Sequence, residues 1–90
     1  MEKRLRLKFD GLVQGVGFRF TAVHAANICR LTGYVKNEYD GSVTCEVQGD
    51  EDNIEKFIAM IDSSRFIDIE RIDRTPLELD CEEVAFEVRF

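Results

Sequence analysis

Basic residues, cysteine pairs and long apolar runs are all scarce in this chain, and each scarcity removes a class of function. Twelve Lys and Arg stand against eighteen Asp and Glu, a formal net charge of −6. A field of that sign repels polyanions and leaves no footprint for a nucleic-acid backbone, so a small anion must be drawn by local donors. No run approaches the roughly 20 apolar residues of a membrane span. Cys29, Cys45 and Cys81 are odd in number and lack metal-ligand spacing. No cation and base beside them marks a nucleophile, which leaves them the role of small apolar fillers. The chain opens on charge instead of an apolar leader, so the expectation is reduced thiols in a cytoplasmic protein, without metal or cofactor.

What is present describes one ordinary globular domain over residues 1–90, with 44% hydrophobic and 33% charged residues. A chain of this size buries only about two-thirds of its unfolded surface, and one compact core must hold it; a monomer is expected. Leu5, Leu7 and Phe9 alternate with Arg4, Arg6 and Lys8, the period of a half-buried strand. The three cations read as a solvated sheet face balanced by Glu46 or Glu87. Ala22, Ala25, Ala26 and Cys29 recur at helical spacing over 18–30, a small-residue stripe that lets a helix lie close on a sheet, with Gly33 as its left-handed cap.

Asp40-Gly41 signals a hairpin between a strand through Val35 and Asn37 and one through Val43, Cys45 and Val47. Asp50 or Asp52 can cap a second helix whose Ile54, Phe57, Ile58 and Ile61 fall on one face. Ile67 and Ile69 alternate and Ile72 is out of phase, which predicts a bulge or an early end to the fourth strand; Thr75-Pro76 reads as a turn. Val84, Phe86, Val88 and Phe90 make a closing strand. A hairpin between two strand-helix units is the ferredoxin-like α+β plan: βαββαβ with an extra C-terminal strand, both helices on one face of a mostly antiparallel sheet of four or five strands.

Chemistry concentrates in Gly11-Leu12-Val13-Gln14-Gly15-Val16-Gly17-Phe18-Arg19-Phe20, where a strand gives way to a helix. Gly15 and Gly17 can take positive φ and turn successive N–H groups toward one point; the helix start adds unpaired N–H groups, and Arg19 a planar fork for two phosphoryl oxygens. On the loop alone, a tight turn that needs glycine only for its geometry explains these residues equally well. No Lys followed by Ser or Thr comes after the second glycine and no third glycine completes a dinucleotide motif, so a phosphate without a nucleotide fits better. His24 lies about 140° round the helix from Arg19, which places it off the site. Asn37 alone reads as a turn residue, and Lys36 should point to the face opposite Asn37.

Gln14-Gly15-Val16-Gly17-Phe18-Arg19, Leu31-Thr32-Gly33-Tyr34-Val35-Lys36-Asn37, Asp40-Gly41-Ser42-Val43 and the closing Phe86-Glu87-Val88-Arg89-Phe90 together resemble the acylphosphatase family. The departure lies between 62 and 82, where the family commonly has a Gly-Pro turn and this chain reads Asp62-Ser63-Ser64-Arg65-Phe66. The resemblance implies hydrolysis of small acyl phosphates to a carboxylate and inorganic phosphate. It implies that Arg19 binds the phosphate together with Gln14, Gly15, Val16, Gly17 and Phe18, and that Asn37 orients the attacking water. Two other functions fit parts of the pattern: a phosphate-sensing module, and a single-stranded RNA binder, against which the acidic charge argues.

Overall fold

The computed structural model describes all 90 residues. The chain runs β1 (Glu2–Leu12), α1 (Phe18–Ile28), β2 (Thr32–Asn37), β3 (Val43–Asp50), α2 (Glu51–Asp62), β4 (Asp68–Leu77) and β5 (Phe86–Arg89). One sheet takes the order β4-β1-β3-β2-β5, antiparallel throughout except that β5 runs parallel to β2. This is the expected ferredoxin-like plan, with the extra strand on the β2 edge.

Alternation decides which side chains meet the helices. Leu7, Cys45 and Val35 lie in register across β1, β3 and β2, and all three are fully buried against Ala22, Ala25, Ala26, Ile54, Phe57, Ile58 and Ile61. Small side chains on α1 and large ones on α2 both match the periodicity read from the sequence. Asp50 caps α2 by accepting from the Asp52 N–H, and Glu51 and Asp52 place negative charge in its first turn.

The closing strand is shorter than expected, since Val84 and Phe90 lie outside β5 and are exposed, and four further local expectations need correction. First, α1 ends on Ile28, and its left-handed cap is Arg30 (φ 57°), the Leu31 N–H reaching back to the Ala26 carbonyl. Gly33 lies instead inside β2, where a Cβ would collide with the Glu46 carbonyl of β3; close approach of two backbones, not capping, requires glycine there. Second, Thr75 and Pro76 do not turn the chain. They pair with Arg6 and Leu5 within β4, an edge strand, where a residue without an N–H is tolerated.

Third, the cations of β1 are not all solvated. Arg4 is buried, its guanidinium held by Glu46 (3.0 Å) and by Glu83 (2.7 Å) from the segment before β5, while Arg6 also bonds Glu46 and Glu87 pairs with Arg89. Fourth, Cys29 and Cys45 are buried fillers but Cys81 is exposed. The predicted bulge is present: Asp10 pairs with Arg71 and Gly11 with Ile69, leaving Glu70 without an opposite number. That extra residue puts Ile69 and Ile72 on the same side, both packed against the core. The strand then continues to Leu77 instead of ending early.

Candidate active site

The site forms where β1 hands over to α1 and where β2 ends. Gly15 (φ 73°) and Gly17 (φ 80°) both adopt the left-handed region, the conformation expected of a nest. None of the loop N–H groups of Gly15, Val16 and Gly17 donates to a protein acceptor, and no side chain caps the first turn of α1. The helix therefore presents its positive end uncovered. Phe18 is buried edge-on against Phe9, with ring centroids 5.0 Å apart, and Val16 packs on the core; these two side chains hold the loop down.

Arg19 stands in that first turn, and no carboxylate lies within ion-pair distance of it. Its guanidinium carbon sits 5.5 Å from the centre of the Phe90 ring, a contact that steadies the side chain without neutralising it. Asn37 ends β2 opposite Val43. Val43 belongs to the core, so Asn37 projects to the helix side of the sheet, where α1 begins. Arg19, Asn37 and Gln14 line one open hollow of about 490 Å³ and also an adjoining one bounded by Gly15, Gly17 and Phe18. Asn37 Oδ1 is buried there and has no hydrogen-bond partner in the protein. An unsatisfied buried acceptor is unfavourable, and such groups concentrate at functional sites.

Gln14 borders both hollows and also braces them. Its Nε2 donates to the backbone carbonyls of Glu38 (2.7 Å) and Ser42 (2.8 Å), tying the glycine loop to the β2–β3 hairpin. The hairpin is itself stiffened by Asp40, whose carboxylate accepts from the Ser42 hydroxyl and N–H and pairs with Lys8. The hydroxyl bond chiefly, then the N–H bond, lowers the Asp40 pKa from 3.8 to about 2. His24 is exposed and stacks on Phe20 with ring centroids 6.5 Å apart, off the site as its helical phase requires.

Lys36 is the residue that strand alternation excluded and the structure includes. It lines the hollow with Asn37, because the hollow bends round the end of β2 on to the helix-free face, where Arg89 also borders it. Tyr34 lies on that face, not in the core, donating to Glu46 (2.7 Å) beneath the Arg89 guanidinium. Burial first, and the bond to Glu46 second, raise the Tyr34 pKa to about 12.

The ferredoxin-like sandwich defines a class of fold, and comparison with known proteins narrows it. The acylphosphatase family model matches residues 5–88. An acylphosphatase of Clostridium perfringens is 44% identical over 78 residues, covering 86% of this chain and 88% of the relative. One of Geobacillus kaustophilus is 37% identical over 89 residues, covering 98% and 95%. The crystal structure of the Bacillus subtilis acylphosphatase superposes with a TM-score of 0.90 at 31% identity over the whole of both chains. The chain belongs to the acylphosphatase family and is an enzyme of that class.

Proposed function

We propose that this protein hydrolyses the carboxyl-phosphate bond of acyl phosphates, with the nest and Arg19 holding the phosphoryl group and Asn37 holding the water. The observation that carries the assignment is the buried, partnerless Oδ1 of Asn37 in the same hollow as the unpaired guanidinium of Arg19. Phosphoryl transfer passes through a loose transition state, so placement and charge stabilisation supply most of the acceleration. The free N–H groups of Gly15, Val16 and Gly17 and the first turn of α1 face the phosphoryl oxygens, and Arg19 closes the ring. Asn37 Oδ1 accepts a hydrogen bond from the incoming water and so turns the water's lone pair toward phosphorus.

The leaving group is a carboxylate whose conjugate acid has a pKa of roughly 4, so it departs without a proton and no general acid is called for. The water's proton passes to a phosphoryl oxygen of the substrate. On this reading the protein acts as a monomer in a reducing compartment, with neither metal nor cofactor.

Phosphate release measured on acetyl phosphate, benzoyl phosphate and an alkyl phosphate monoester tests the assignment. Both acyl phosphates should turn over and the monoester, which must expel an alkoxide, should not. Arg19→Ala should lower kcat/KM by about a thousandfold or more. Asn37→Ala should lower kcat by about a hundredfold or more with little change in KM, and His24→Ala should stay within about twofold of wild type. Equal turnover of the monoester, or full kcat in Asn37→Ala, would overturn the assignment.

A further inference from the structure

The hollow holding Arg19 and Asn37 is larger than a phosphoryl group requires; about 490 Å³ is the scale of a small-molecule pocket. Its far part lies on the helix-free face of the sheet and is bordered by Lys36 and Arg89. The parallel register of β2 and β5 sets these two residues directly beside each other. Like charges on adjacent strands repel, and ordinarily acidic neighbours relieve them. Arg89 is relieved in part, by Glu87 at 3.3 Å and by the Tyr34 ring, whose centroid lies 4.1 Å from the guanidinium carbon. Lys36 forms no ion pair with any carboxylate. Three basic side chains, Arg19, Lys36 and Arg89, therefore border the hollow against one acidic side chain, Glu38, in a chain whose net charge is −6. The lining of this hollow is therefore locally basic although the chain as a whole is acidic.

We propose that Lys36 and Arg89 form a second anion site, and that the preferred substrates are acyl phosphates whose acyl group carries a carboxylate or another anionic group at its far end. The proposal rests on the acyl phosphate hydrolysis argued above and assigns its substrate class. With the phosphoryl group in the nest, the acyl chain leaves along the hollow toward the helix-free face, and the two cations receive its distal charge. A second charge held there improves ground-state and transition-state binding alike, so the preference appears in KM more than in kcat. Half-exposed cations also steer a doubly charged substrate, and this part of the effect weakens as salt shortens the Debye length.

Benzoyl phosphate and 4-carboxybenzoyl phosphate make the test pair, because a carboxylate in the para position cannot reach back to attack its own acyl phosphate. Each rate is divided by that compound's hydrolysis in buffer, to remove differences in leaving-group reactivity. Wild type should favour the carboxylated compound by about fivefold or more in kcat/KM at low salt, through a lower KM, and the ratio should shrink toward one in about 0.5 M salt. Lys36→Met and Arg89→Met should each lower the ratio, whereas Lys36→Arg should keep it. A wild-type ratio of one, or a ratio that survives the double Met substitution, would overturn the second site while leaving acyl phosphate hydrolysis standing. If benzoyl phosphate itself is not hydrolysed, both readings fall together. The wild-type ratio and its salt dependence require no variant to fold.

Discussion

Gln14 supplies no group to the proposed chemistry, yet its amide fixes the separation of the two residues that do. Both of its hydrogen bonds go to hairpin carbonyls, so the loop bearing Gly15 and Gly17 and the strand ending at Asn37 are held as one piece. Displacement of a reacting group by about 1 Å can cost about a hundredfold in rate. Gln14→Ala should therefore lower kcat by about ten- to a hundredfold while costing only about 1–2 kcal/mol of stability, a contrast that steady-state kinetics and urea unfolding of the same sample will reveal. Gln14→Glu should be worse for phosphate affinity, since it swaps two donors for acceptors facing carbonyls and adds negative charge beside the nest. Of the residues read from the sequence, Arg19 is placed by the helix start, whereas Asn37 alone reads as a turn residue and joins it only through the family resemblance. The part played by Gln14 is not legible, because a side chain that bonds backbone 24 and 28 residues away leaves no local trace. Lys36 is misread for a different reason: alternation assigns a face, and the hollow spans two faces at the strand's end.

At the level of elements, the β2–β3 hairpin carries the site and is sensitive to acid. Asp40 has its pKa depressed from 3.8 to about 2 in the folded protein. A depressed carboxylate contributes stability that is present above its unfolded pKa and is lost as pH falls through the folded one. The advantage of wild type over Asp40→Asn should therefore be constant above about pH 5, shrink between about pH 4 and pH 2, and vanish below. Urea midpoints at pH 6, 4 and 2.5 measure it; a difference as large at pH 2.5 as at pH 6 would place the effect of Asp40 in packing instead of charge. The helices and hairpin are legible from periodicity, and the bulge from the misplaced Ile72. Thr75-Pro76 misleads because proline marks edge strands as well as turns, and only the sheet order distinguishes them. Gly33 misleads similarly, since a glycine required by a neighbouring strand looks the same in sequence as one required by a helix end.

For the molecule as a whole, the helix-free face of the sheet is organised round one buried cation. Arg4 draws together Glu46 of β3 and Glu83 of the segment leading to β5. Burial pushes the Glu46 carboxyl up, but hydrogen bonds from Tyr34, Arg4 and Arg6 outweigh it and leave the pKa below its ordinary value. Removing one partner from a buried ion pair strands the others, which typically costs about 3–5 kcal/mol, a large fraction of the stability of a small domain. Arg4→Met should lose that much by urea unfolding with KM for acyl phosphates kept within about twofold, since Arg4 does not border the hollow. The alternation that places Arg4 on this face is plain in the sequence. What covers it is not, because Asp80, Glu82 and Glu83 belong to an irregular stretch whose path follows no period.

The two borders of the sheet share a property that bears on how the protein behaves when crowded. Along one, Glu70 interrupts the ladder and Pro76 offers no N–H; along the other, β5 is only four residues long. Neither presents a straight, continuous template on which a second molecule could grow a strand, and such interruptions are the devices by which sheet edges discourage pairing between molecules.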